Sequence, residues 1–385
     1  MSPQCSRVVL SPEEFSARSD ILLSDADKAD ALSVLQLQVS ELAKIRDVPA
    51  EELGGRILAE QQYSYVYDPV TGGVRAVLAE PDFREVLYSR TFPLIDDRDI
   101  ETMRQKTVLF LGCSTNAPVA MALLSQGLGG FILCDFDTIE LSNTNRIPAT
   151  GVSSMGLSKA DHLAGILLDT NPYARVRSVT EHCTLEELEQ LIKDCDLVFE
   201  MTDDPLVKLE SRRLAGRLGK PLCMVTGIGD RPLVSCEMPG DRPFLRDFDD
   251  REITAFADSD LAIRERFRLY IRIIGTTNLP PETMANMVLA AHGKRRYIAQ
   301  HGGTAMLGGG LGAYIAREIL CGRPVYSESS VDLRHLVSTP EGRDSAYAGL
   351  FARLSATYPD IFRKSDGSLP GALSRLVPET FGIDY

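Results

Sequence analysis

Residues 107–137 read TVLFLGCSTNAPVAMALLSQGLGGFILCDFD, and this stretch decides the fold. It holds two short apolar runs, 107–111 and 130–134, the first ending at Gly112 and the second at Asp135. Runs of this length, rich in Val, Leu, Ile and Phe, read as strands buried on both faces. Residues 117–126 between them are helix-like. Working outward, residues 159–168 form an amphipathic helix pattern, 175–179 a strand, and 184–193 a helix opening on the capping box Thr184 and Glu187. A strand at 197–199, a helix at 205–218 and a strand at 221–225 follow. Strands alternating with helices at this spacing predict an α/β fold with a doubly wound, mainly parallel sheet. Such a sheet binds ligands beyond the carboxyl ends of its strands.

The first strand ends at Gly112, and the turn after it precedes a helix. Backbone amides at a helix N-terminus favour phosphate, which makes Gly112, Ser114 and Asn116 nucleotide-turn candidates. Capping of the helix by Ser114, Thr115 or Asn116 explains the same residues structurally. The second strand ends on Asp135, about 20 positions past the glycine, where an acidic residue holds ribose hydroxyls. To this point a dinucleotide or ATP serves equally well.

The flanks are less regular. Residues 24–46 and 50–61 read as helices. Residues 63–67 and 75–78 read as strands around the turn Asp68-Pro-Val-Thr-Gly-Gly. These predict a small α+β unit. Beyond Gly227, residues 261–274, 282–292 and 302–320 look helical, and the tail from Arg323 is polar and mixed.

The chain has 385 residues, 44% hydrophobic and 25% charged, with a net charge of −13. The acidic balance argues against a nucleic-acid binder, which must neutralise phosphates. The basic trio Lys294, Arg295 and Arg296 reads as a solvated helix end. No apolar stretch approaches the length of a membrane span. The first residues, MSPQCSRVVLSPEEF, do not read as a signal peptide. None of the eight cysteines forms a CxxC pair, so neither zinc nor a disulfide framework is expected. A reducing cytoplasm fits.

Cys134-Asp-Phe-Asp-Thr-Ile-Glu-Leu-Ser-Asn-Thr-Asn-Arg146 resembles the signature of the ThiF/MoeB adenylating enzymes, bacterial relatives of ubiquitin-activating enzymes. Gly156-Leu-Ser-Lys159, Asn171-Pro172, Glu200-Met-Thr-Asp203-Asp204, the Gly/Ala-rich segment 302–320 and Tyr88-Ser-Arg90 resemble its other motifs. The resemblance covers roughly residues 88–325. It is closest to a branch with a Gly-x-Ser turn and a segment like Tyr67-Asp68-Pro69. Some members carry a nitroreductase-like extension, which this chain is expected to lack. The implied domains are a small N-terminal unit at 1–87, an adenylation domain at 88–325 and an extension at 326–385.

The resemblance implies a Rossmann-like ThiF/MoeB fold that binds ATP and Mg²⁺. Arg146 and Lys159 would contact phosphates, Asp203 would hold Mg²⁺, and Asp135 with Asp137 would lie along the nucleotide. Asn143 and Asn145 would position phosphates. Arg90 would reach a neighbouring subunit's site, implying a homodimer. Asp204 before Pro205 reads instead as a helix N-cap. Thioester-forming relatives carry a cysteine before the late helix. Residues 275–303 contain none, and Cys236 is the nearest upstream. A carboxylate of a small molecule, peptide or carrier protein would therefore be adenylated and attacked directly, as in natural-product or peptide modification. The alternatives are an NAD(P)-dependent oxidoreductase and a non-catalytic ThiF-like partner subunit. The N-terminal unit is a candidate docking module.

Overall fold

The computed structural model describes residues 7–18, 25–68, 71–240, 248, 262–362 and 367–385. Cys5, Ser24, Pro69, Val70 and Leu261 lie outside the described residues.

The chain opens with β1 (Val8–Leu10), α1 (Pro12–Ala17), α2 (Asp25–Arg46) and α3 (Ala50–Ala59), then the hairpin β2 (Tyr63–Tyr67) and β3 (Val74–Leu78). The three strands form an antiparallel sheet in the order β1-β2-β3. Leu35, Val39 and Leu42 of α2 pack on it with Tyr65, Ala76 and Leu78 in one core. α4 (Glu80–Leu87) and α5 (Asp97–Gln105) lead into the central sheet. Arg7 pairs with Asp169, and the Tyr173 hydroxyl donates to the Leu78 carbonyl at 2.7 Å. These two contacts anchor the N-terminal unit to the central domain.

The central elements are β4 (Thr107–Leu111), α6 (Asn116–Ser125), β5 (Gly130–Cys134), α7 (Lys159–Thr170), β6 (Arg175–Val179), α8 (Leu185–Lys193), β7 (Leu197–Glu200), α9 (Pro205–Arg217), β8 (Leu222–Ile228) and β9 (Arg231–Glu237). They continue with α10 (Ile263–Ile274), α11 (Pro281–Ala291), α12 (Gly302–Leu320) and β10 (Glu328–Ser330). Seven strands lie in the order β10-β9-β8-β7-β4-β5-β6. β8, β7, β4, β5 and β6 are parallel, while β9 and β10 add antiparallel strands at one edge. The sheet is α/β and mainly parallel, with helices on both faces.

Alternation along β4 explains the two layers. Val108 and Phe110 face a core shared with α6, α7 and α12. Leu109 and Leu111 face α8 and α9. Phe110 stacks between Phe131 and Phe199, its ring centre 6.1 Å and 5.7 Å from theirs. β4 is flanked by β5 on one side and β7 on the other, so the chain winds outward in both directions from it. The crevice between the carboxyl ends of β4 and β7 is the topological switch point.

The chain closes with α13 (Leu333–Val337), α14 (Pro340–Thr357), α15 (Pro359–Phe362) and α16 (Leu369–Phe381). Phe362, Leu373 and Val377 share one core with Ile271 of α10 and Met284 and Val288 of α11. These helices escape a reading of the tail as merely polar because several have narrow apolar faces. In α14 only Leu354 is buried.

Candidate active site

Gly112 ends β4 with φ of 84°, a left-handed conformation. A Cβ there would lie 3.0 Å from the Met201 carbonyl oxygen at the end of β7. Glycine is required by both backbone angle and close approach. Asn116 is fully buried, and its amide donates to the carbonyls of Leu111 and Gly112. It braces the turn from behind and does not line the cavity in front.

Asp135 extends from β5. Its carboxylate accepts the Cys113 amide at 2.6 Å and the Asp137 amide at 2.9 Å. Burial pushes its pKa up, and the two amides oppose that shift. Asp137 pairs with Lys159 at 2.8 Å, where Lys159 begins α7 and Ser158 caps it. Phe136 stacks on His182, with ring centres 3.6 Å apart.

The segment after β5 forms two 3₁₀ turns. Asn143 is buried and its side-chain carbonyl accepts the Glu140 amide, a capping contact. Asn145 donates to the Gln300 carbonyl at 3.0 Å and accepts from Arg146 at 3.1 Å. It thus ties Arg146 to the segment before α12. Burial lowers the Arg146 pKa, opposed by Asp203 and Glu140. Arg90 is exposed on the link between α4 and α5 and does not line the cavity.

Asp203 lies just past β7, and the Tyr270 hydroxyl donates to its backbone carbonyl. Asp204 caps α9 through the Leu206 amide, with Pro205 at the first helical position. Behind them Glu200 is fully buried. It accepts from Thr202 and pairs with Lys208 at 3.1 Å and Arg212 at 3.0 Å. Burial opposes its ionisation, and Lys208 and Arg212 more than offset this, holding the carboxyl below its usual range. Arg212 also pairs with Glu237 at 2.8 Å, so the buried cluster is balanced.

A cavity of about 410 Å³ lies at the switch point. Gly112, Ser114, Asp135, Asp137, Arg146, Lys159 and Asp203 all line it. Asn116, Asn143, Asn145 and Arg90 do not. Phe136, His182, Cys183, Arg266 and Gln300 also line it. His182 and Cys183 stand beyond the carboxyl end of β6, so the strand-end rule had the signal for them. Arg266 and Gln300 arrive from distant segments with no local motif.

The cavity suits a nucleoside triphosphate. Ser114 Oγ and Arg146 Nε are buried on its wall without a hydrogen-bond partner among the described residues, a state that is costly unless a ligand completes it. Arg146, Lys159 and Arg266 supply positive charge, while Phe136, His182 and Leu188 supply flat and apolar surface. Among the described residues no group of three or more His, Cys, Asp or Glu is arranged to hold a metal. A metal here would rest on Asp203 and on ligand phosphates, the usual manner of Mg²⁺.

A model of the ThiF family matches residues 88–283. An uncharacterized protein of Mycobacterium tuberculosis is 32% identical over 236 residues, covering 59% of this chain and 33% of that protein. The adenylyltransferase and sulfurtransferase uba4 of Pyricularia oryzae is 27% identical over 152 residues, covering 39% of this chain and 31% of uba4. The chain thus spans about a third of the length of these relatives. Among solved structures, PaaA is 18% identical over 74% of this chain and 89% of its own, with a TM-score of 0.48. Escherichia coli MccB with MccA is 15% identical over 66% of this chain and 67% of its own, with a TM-score of 0.46.

Proposed function

The chain belongs to the ThiF family, and on that premise we propose that it is an ATP-dependent adenylyltransferase acting on a carboxylate. The observation that carries this reading is the convergence of Asp135, Arg146, Lys159 and Asp203 on one cavity at the switch point. A carboxylate oxygen attacks the α-phosphorus, the bond to the β-phosphate oxygen breaks, and pyrophosphate leaves. Negative charge spreads over the phosphate oxygens, so fixed cations accelerate the step. Arg146 offers a forked contact and Lys159 a point charge. Arg266, on the cavity wall, neutralises departing pyrophosphate. Asp135 takes ribose hydroxyls, and Phe136 with His182 receives the base. Mg²⁺ on Asp203 would supply further charge to the phosphates. Asn145 positions Arg146, while Asn116 and Asn143 hold the backbone.

Direct attack on the acyl-adenylate, without an enzyme thioester, is supported by the placement of Cys236, while Cys183 stands on the cavity wall next to His182, which is assigned to the base. Cys236 is buried in β9 with its sulfur 3.1 Å from that of Cys223. The substrate is a small molecule, peptide or carrier terminus, as in natural-product or peptide modification. Hydroxylamine traps such an adenylate. Wild-type protein with MgATP and a substrate should release AMP and pyrophosphate and form a hydroxamate. Asp203→Asn should lose this by about 10²-fold or more, the scale for removing a transition-state charge contact. Equal activity in the variant would remove Asp203 from the chemistry.

The dimer reading rests on Arg90, beside Phe92 and Leu94, which are 69% and 86% exposed. A monomer in sedimentation at micromolar concentration would end it. The N-terminal unit (1–87) serves docking of the substrate to the adenylation domain (88–325), with 326–385 as an extension. An unchanged substrate KM after deleting residues 1–80 would end that role. Among the described residues no helix is long and apolar enough to cross a membrane. The seven described cysteines are free, although the sulfurs of Cys134 and Cys183 lie 3.6 Å apart. A reducing cytoplasm is the compartment that the scattered cysteines fit, and a thiol titration of unreduced, denatured protein giving fewer than eight groups would count against it.

A further inference from the structure

A second cavity of about 90 Å³ adjoins the nucleotide cavity. The two share Thr115, Met201, Thr202, Asp203 and Gln300. The nucleotide cavity thus opens along this wall into the annex. Met224, Ile273, Ile274, Leu279 and Met287 from β8, α10 and α11 and the link between those helices make the annex largely apolar.

Among the described residues one charge besides Asp203 reaches its wall, Lys208, and it is already paired. Its ammonium lies 3.2 Å and 3.1 Å from the two oxygens of buried Glu200, and the cluster is balanced by Arg212 and Glu237. A second carboxylate placed there would meet no unpaired cation and would lose its hydration. At the junction, Gln300 Oε1 is buried and has no hydrogen-bond partner among the described residues. An acceptor in that state calls for a donor on the ligand.

We propose that the annex holds the aliphatic side chain of the residue bearing the reactive carboxylate, with that residue's amide N–H donated to Gln300. The substrate is then a peptide, or another N-acyl chain, ending in a residue the size of Val or Leu. Size sets the upper limit. A cavity of roughly 150 Å³ holds benzene, so the annex is too small for an aromatic side chain. The proposal rests on the adenylation reading and deepens it.

The test is ATP–pyrophosphate exchange with N-acetylated tripeptides that differ only in the C-terminal residue: Gly, Val, Leu, Phe, Asp and Lys. Val and Leu should exceed Gly in kcat/KM by at least about tenfold, the worth of one well-buried methylene. Phe, Asp and Lys should fall below Gly. Ile274→Phe, which fills the annex from a half-buried position, should level Leu with Gly by lowering Leu alone. Met287→Ala, which widens it, should raise Phe. A Gln300→Leu variant should lower every N-acyl substrate and spare a des-amino acid such as 4-methylpentanoate.

Equal exchange with all six wild-type substrates, or a preference for Asp or Lys, overturns the proposal and leaves adenylation standing. Absence of exchange with every peptide in a protein that binds MgATP also overturns it. Failure to bind MgATP removes the reading beneath it. Because the panel is run on the wild-type protein, misfolding of a variant does not rescue the idea.

Discussion

Cys183 is the residue whose chemistry reports most directly on the cavity. It lines the wall beside His182, and a hydrogen bond with Cys134 pulls its thiol pKa down to about 7. Burial opposes this shift, but the remaining thiol of the pair stabilises the thiolate. The thiolate is the reactive form. Alkylation of Cys183 by iodoacetamide should therefore rise with pH and level off above about 7, where an ordinary thiol levels off above ~8.5. Saturating MgATP should slow it, as read by peptide mass spectrometry. An unprotected Cys183 would place the nucleotide elsewhere. The same scale shows where residue identity misleads. Asn116, Asn143 and Asn145 stand in motif positions, yet their amides are spent on backbone carbonyls, a backbone amide and Arg146. An asparagine's motif does not say which way its amide faces. Asp135 and Lys159 line the cavity because each opens or closes an element beside it.

Among the elements, α12 decides how closely the helices seat on the sheet. Gly309 faces α6, and a Cβ there would sit 2.3 Å from the Pro118 Cβ. An alanine normally stabilises a helix interior by about 1 kcal/mol over glycine. Here the approach to Pro118 puts the overpacking cost near the upper end of about 1–3 kcal/mol, above that gain, so the sign reverses. Gly309→Ala should lower Tm by about 1–2 °C, since a chain of 385 residues shifts by only roughly 1 °C per kcal/mol. A rise in Tm by calorimetry would show that α12 seats differently. The strands and helices of the central sheet are legible in sequence because buried parallel strands concentrate apolar residues between turns. β4, β5 and β6 match the bounds read from periodicity. β1 and α1, at three and six residues, are too short to carry a period. The edge strand β10, Glu-Ser-Ser, has no apolar face at all and is set by pairing with β9.

At the scale of the whole molecule, function derives from the order β8-β7-β4-β5-β6. That order opens a crevice beside β4, and the segments after β4, β5 and β7 all empty into it. The alternation of strands and helices foretells such a crevice. The annex was not legible, because it is built by β8, α10 and α11 with Gln300 from the approach to α12. Contacts of that range leave no periodic trace. The most direct test of the account is calorimetric titration with MgATP of wild-type protein and of Lys159→Ala, with NAD as the control ligand. The wild type should show one MgATP site and no heat from NAD. In the variant, affinity should fall about tenfold or more, since a charged hydrogen bond contributes ~1.5–3 kcal/mol. Binding of NAD in place of MgATP, or equal MgATP affinity in a folded Lys159→Ala protein, would contradict it.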